Sequence, residues 1–99
     1  MIVKKHLMRD GRLILAVCDN SLKGKKFEEG SKQLDLSTGF YDGEEMDSER
    51  LIELFKVAYV INLVGKESIE FALKQGIIDE DKIIEISGVP HAECVMMRE

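Results

Sequence analysis

The 99-residue sequence has no tryptophan, one proline, two cysteines and few aromatic rings, four Phe and two Tyr. Cys18 and Cys94 are too far apart and too few to form a disulfide framework, so both thiols are expected to be reduced. The scarcity of rings keeps any base-stacking platform small. No apolar run approaches the roughly 18 residues of a membrane span, and the opening "MIVKKHLMRDGR" has no signal-peptide core. A cytoplasmic location with no membrane partner is the expectation. Side-chain amides are confined to Asn20, Gln33, Asn62 and Gln75 while Lys and Glu abound, a balance that leans toward thermophile composition. There is no repeat, low-complexity tract or Pro/Ser-rich linker, and this length makes one domain, 1–99.

What is present is charge, unevenly placed. Net charge is −5, but residues 1–33 carry eight Lys and Arg against four Asp and Glu, a local +4. The remaining residues carry six against fifteen, a local −9. The two parts either neutralise each other across the fold or leave one basic face.

The chain reads as an α+β domain. "IVKKHLM" and "LILAVCD" flank an Asp-Gly pair, a strong hairpin signal. In "KQLDLS", Leu34 and Leu36 share a face, which predicts a strand among the turn glycines 24, 30, 39 and 43. Asp47 or Ser48 then caps a helix whose Leu51, Leu54, Phe55 and Ala58 follow helical spacing. Residues 57–64 fit a buried strand ("YVINLV") or a continuation of that helix to a Gly65 cap. "KESIEFALKQG" is a second helix stopped by Gly76, and "KIIEI" and "HAECVMM" are strands joined by "SGVP". The predicted order is β-β-β-α-β-α-β-β, a mixed sheet with two helices packed on it.

Three stretches hold candidate sites. "VINLVGKESI" reads as strand, glycine turn and helix start, where free N–H groups favour an anion; Lys66 adds charge and Asn62 an amide. It is no P-loop, because Val60 stands where the first motif glycine belongs and Glu67 where Ser or Thr belongs. "GVPHAE" gathers Pro90, His91 and Glu93; on a strand His91 and Glu93 share a face, a possible acid/base pair or simply a solvated one. The zinc-deaminase pattern fails for want of a second downstream cysteine. His6, Cys18, His91 and Cys94 lack ligand spacing, so no metal or cofactor is expected. "LKGKKFEEGSK" sets Lys23, Lys25, Lys26 and Lys32 around Phe27, a pattern compatible with nucleic-acid contact. "GFYDGEE" places Phe40 and Tyr41 in a loop, as a lid on the core or as a partner contact. Nothing here spells a nucleophilic triad, and the residues lean away from an enzyme.

"AVCD" with "LKGKKFEEG", then "GFYDGE", "INLVGKESI" and "ISGVPHAE", occur in the order of a small archaeal family known as domain of unknown function 424, which the chain resembles over nearly its whole length. The resemblance implies a single-domain cytosolic archaeal protein and brings no established activity; a possible RNA-binding role is its one functional hint. It singles out Cys18, Asp19, Gly24, Lys25, Phe27, Gly30, Phe40, Tyr41, Gly43, Asn62, Gly65, Gly88, Pro90 and His91. In the family pattern a glutamine is usual where this chain has Glu93, so the resemblance lends no support of its own to an ionised role there. Three functions are then expected to compete. The first is an RNA- or translation-associated binding module, with ribosomal or other translation components as partners. The second is a small-anion pocket or enzyme built from Asn62, Gly65, Lys66, Pro90 and His91. The third is a protein adaptor or homodimer.

Overall fold

Asp10 and Gly11 turn the chain as this pair should. Gly11 takes φ +88°, Met8 N–H reaches the Arg12 carbonyl at 2.8 Å, and the Asp10 carboxylate accepts from Arg12 N–H at 3.0 Å. The turn joins β1 (Ile2–Leu7) to β2 (Leu13–Cys18) in antiparallel register, Ile2 opposite Cys18. The computed structural model describes residues 1–96. A second hairpin follows, β3 (Lys26–Glu29) and β4 (Lys32–Asp35), with Phe27 opposite Leu34. β4 is the predicted "KQLDLS" strand. β3 escaped sequence reading because Phe27 is its one apolar residue and shows no alternation.

The two-residue strand β5 (Glu44–Glu45) pairs with the start of β1. Helix α1 (Ser48–Val57) has Asp47 as its cap, whose carboxylate accepts from Arg50 N–H at 2.8 Å. Residues after it are strand, not more helix. Tyr59 N–H bonds the Leu13 carbonyl and Tyr59 carbonyl accepts from Met96 N–H, both at 2.7 Å, drawing β6 (Val60–Val64) into the sheet. Then come α2 (Lys66–Lys74), β7 (Ile84–Ile86) and β8 (Val89–Val95). β8 begins earlier than predicted and takes in Pro90, whose carbonyl still accepts from Gly65 N–H at 2.9 Å. The predicted end of that strand, Met97, lies outside the described residues. Every predicted element is present in the predicted order, with β3 and β5 added.

The main sheet runs β5-β1-β2-β6-β8-β7; β2 and β6 are parallel and the other neighbours antiparallel. Both helices cover one face, where Leu51, Phe55, Ile69 and Ala72 meet Val3, Leu15, Val17, Ile61, Leu63 and Ala92. The β3–β4 hairpin covers part of the other face, where Leu34, Leu36 and Tyr41 meet Ile2, Ala16, Cys18, Val64 and Ile86. β6 places Ile61 and Leu63 against the helices and Val64 in the hairpin core, with Asn62 between Val60 and Val64 on the hairpin side.

One contact ties the two ends of this arrangement together. α2 has no side-chain cap of its own; its N-cap residue is Gly65. The cap comes from Asp19, just past β2. Its carboxylate accepts from Glu67 N–H at 3.1 Å, and from Ser68 N–H and Ser68 Oγ at 2.8 Å each. Asp19 N–H in turn bonds the Val64 carbonyl at 3.1 Å. Gly65 sits at φ +107°, and a Cβ there would fall inside the Asp19 carboxylate. Gly76 also has a positive φ, +72°, but open space around it. Gly65→Ala should therefore cost roughly 2–4 kcal/mol, from backbone strain plus a displaced cap. Gly76→Ala should cost only about 1 kcal/mol. Denaturant unfolding of both variants checks this, and equal losses would refute the close approach as the cause.

Candidate functional site

The helix start expected to seat an anion is already filled from within. With Asp19 bonded to Glu67 and Ser68 N–H, a second anion at Gly65–Lys66 would meet a carboxylate instead of free donors. Gly65, Lys66 and Pro90 do line one recess, of about 180 Å³, together with Asp19, Leu22 and Val89. Asn62 and His91 do not line it. The five residues expected to share one ligand pocket thus split into two groups, because strand alternation sends Asn62 and His91 to the hairpin face.

That face resolves into three rows of side chains crossing the strands. Pairing sets Ile2, Cys18, Val64, His91 and Ile84 in the first row. Lys4, Ala16, Asn62 and Glu93 form the second, and His6, Ile14, Val60 and Val95 the third. The hairpin core covers much of the first row. The second is polar, and the third is half-open, ending at Val95, 48% exposed. Asn62 and His91 are diagonal neighbours on adjacent strands, a spacing of roughly 7–8 Å between such positions.

The polar groups of this face are poorly satisfied. Asn62 is 8% exposed, yet its amide makes no hydrogen bond among the described residues. Those amide atoms are not among the fully buried unpaired ones, so they still reach the surface. His91 Nδ1 is fully buried and has no partner among the described residues. Tyr41 is 6% exposed, and burial, with Cys18 and Glu93 nearby, pushes its phenol well above the usual range. Of the two loop aromatics expected as a lid on the core or as a partner contact, Tyr41 is a core residue, clustered with Ile2, Ala16, Cys18 and Leu36. Phe40 is half-buried. It stacks on His6, centroids 4.6 Å apart and planes 10° apart, while His6 Nε2–H donates to the Phe40 carbonyl at 2.9 Å.

The lysines around Phe27 divide as well. Lys23 is committed to the fold, its Nζ donating to the Gly43 carbonyl at 2.9 Å with Asp42 at 3.6 Å. Lys26 pairs with Glu28 at 3.3 Å on the exposed hairpin, a bond worth little and readily exchanged. Lys25 and Lys32 are exposed and form no ion pair among the described residues. Sequence reasoning missed Asp19 as a cap, the His6–Phe40 stack and Lys4. Alternation would have aligned Lys4, Asn62 and Glu93 only once the strand order was known.

Neither cysteine thiol is activated by its surroundings. Burial pushes the Cys18 thiol up, and Asp19 beside it adds to the rise; burial also pushes the Cys94 thiol up. Burial lowers the His91 pKa, with Glu93 partly opposing. Among the described residues no three His, Cys, Asp or Glu gather as a metal-binding group.

The fold and this face define a small α+β domain with one dry, helix-covered side and one polar, partly open side. The chain belongs to the family described as protein of unknown function DUF424, whose model matches residues 7–97. A solved structure of an uncharacterized conserved protein from Methanopyrus kandleri is similar to it. The two are 28% identical with a TM-score of 0.80, covering 99% of this chain and 93% of that one. No curated protein matches the chain. No helix among the described residues is long and apolar enough to cross a membrane.

His91 makes a pH prediction. Its folded pKa lies below the unfolded value of about 6.5, so the unfolded chain takes up the proton first. Stability should be full above that pH and fall as pH drops through it. Denaturant midpoints between about pH 7.5 and 5 should show this fall, and His91→Gln should flatten it. An unchanged profile in the variant would assign the slope to other groups.

Proposed function

We propose that this chain is a small cytoplasmic RNA-binding module that takes single-stranded RNA across the hairpin face of its sheet. The observation that carries the reading is the Asn62 amide, more than nine-tenths buried and without a hydrogen bond among the described residues, in the polar row next to the row of the His6–Phe40 stack. Single-stranded nucleic acid is bound by stacking on rings and by hydrogen bonds to splayed base edges, and a sheet face supplies both. Lys25, Lys26 and Lys32 on the hairpin and Lys4 on β1 supply phosphate contacts around that face. The module is non-catalytic in this reading, since the buried thiol of Cys18 and the buried Nδ1 of His91 are withheld from substrate.

With about four lysines on phosphates, log K should fall with log salt at a slope near −3. Fluorescence anisotropy on a labelled single-stranded RNA at several salt concentrations measures it. No binding at low salt would overturn the reading. A protein partner is the second reading, favoured by the apolar residues exposed where the β1–β2 turn meets the end of α1. Leu7 is 74% exposed, Met8 40% and Val57 62%. Recovery of a protein complex that survives nuclease, from a chain with no RNA affinity, would decide for it.

A further inference from the structure

The second row of the hairpin face pairs two side chains of complementary chemistry. The bonds Gly65 N–H to Pro90 O and Met96 N–H to Tyr59 O fix which residues of β6 and β8 exchange hydrogen bonds. They fall at alternate positions, so Asn62 and Glu93 form the other kind of pair, with Cα atoms about 4.5 Å apart and side chains at their closest. Glu93 is exposed and makes no ion pair among the described residues. Asn62 beside it has an unpaired amide held in place by burial. The Tyr41 hydroxyl, also without a hydrogen bond among the described residues, is close enough to feel the Glu93 charge.

We propose that Asn62 and Glu93 read the Watson–Crick edge of one unpaired guanine, Glu93 accepting from its N1–H and N2–H and the Asn62 amide donating to O6. This rests on the RNA reading above and deepens it. Guanine is the one standard base with two adjacent donors on that edge, and a carboxylate accepts such a pair in a bidentate, charge-assisted manner. Adenine and cytosine offer one donor group beside an acceptor, which would face the carboxylate with repulsion. Uracil offers one donor between two acceptors. A bare carboxylate on a chain of net charge −5 would repel RNA unless it met donors, so its place beside a reachable amide argues for a donor-rich edge. The His6–Phe40 stack lies two strands and one row away, about 12 Å, and takes a neighbouring base, not the guanine itself.

The test uses the full chain and end-labelled oligouridines about eight residues long. Each carries one central guanine, inosine, adenine or cytosine, and anisotropy gives the affinities. The guanine oligomer should bind roughly 5- to 150-fold tighter than the adenine one, with inosine, which lacks the N2 amino group, in between. Glu93→Gln replaces one acceptor oxygen by a donor at an exposed position where folding is not at risk, and should bring guanine down to the adenine level. Lys25→Ala should weaken all four oligomers alike. Equal affinities in the native chain, or a guanine preference that survives Glu93→Gln, overturn the guanine reading and leave the RNA module standing. Failure to bind any of the four at low salt removes the RNA module itself, and the guanine reading with it.

Discussion

A carboxylate borrowed across the fold holds this structure in register. Asp19 leaves β2 and caps α2, whose own N-cap residue is a glycine with nothing to give. The charge-assisted bonds to Glu67 and Ser68 each contribute about 1.5–3 kcal/mol, and the helix dipole adds to them. The cap also locks β2 beside β6 through Asp19 N–H and the Val64 carbonyl. That parallel pair is the centre of the sheet, from which β1, β8 and both helices take their positions. A side chain at Gly65 would push the carboxylate away, so one glycine and one aspartate far apart in sequence act as a single structural unit.

The same contact redirects the functional question. Filling the helix start with an internal anion closes the place where a phosphate would ordinarily sit, and attention moves to the opposite face of the strands. There the division of labour is plain. The helix side is built from apolar residues, while the hairpin covers only part of the other side. On that side Asn62 and Glu93 are adjacent on neighbouring strands, and Phe40 stacks on His6. A sheet built only for packing would carry an aliphatic residue in place of Asn62, as β6 does at Val60 and Val64 on the same face.

Local chemistry decided much of this in advance. The Asp-Gly pair dictated the first hairpin, Asp47 dictated the start of α1, and the apolar residues of α1 and α2 dictated which sides they bury. The doubly apolar "VINLV" fits a central strand, but its sequence left helix open as an alternative, since a short apolar run fits either. The long-range bonds of Tyr59 to Leu13 and Met96 closed that choice. β3 was invisible because Phe27 alone carries its apolar signal, and β4 across from it supplies the pairing that makes it a strand.

For the site, the sequence determined the residue types and the strand phase, so that His91 and Glu93 had to share a face, as did Lys4 and His6. Tertiary structure alone decided that β2 lies between β1 and β6, which lines up Lys4, Asn62 and Glu93 in one row. It alone buried Tyr41, committed Lys23 to Gly43 and brought Asp19 to α2. The reason is physical. Turns, caps and periodicity are set by neighbours a few residues away, whereas these contacts join segments whose meeting depends on strand order, which no local pattern encodes.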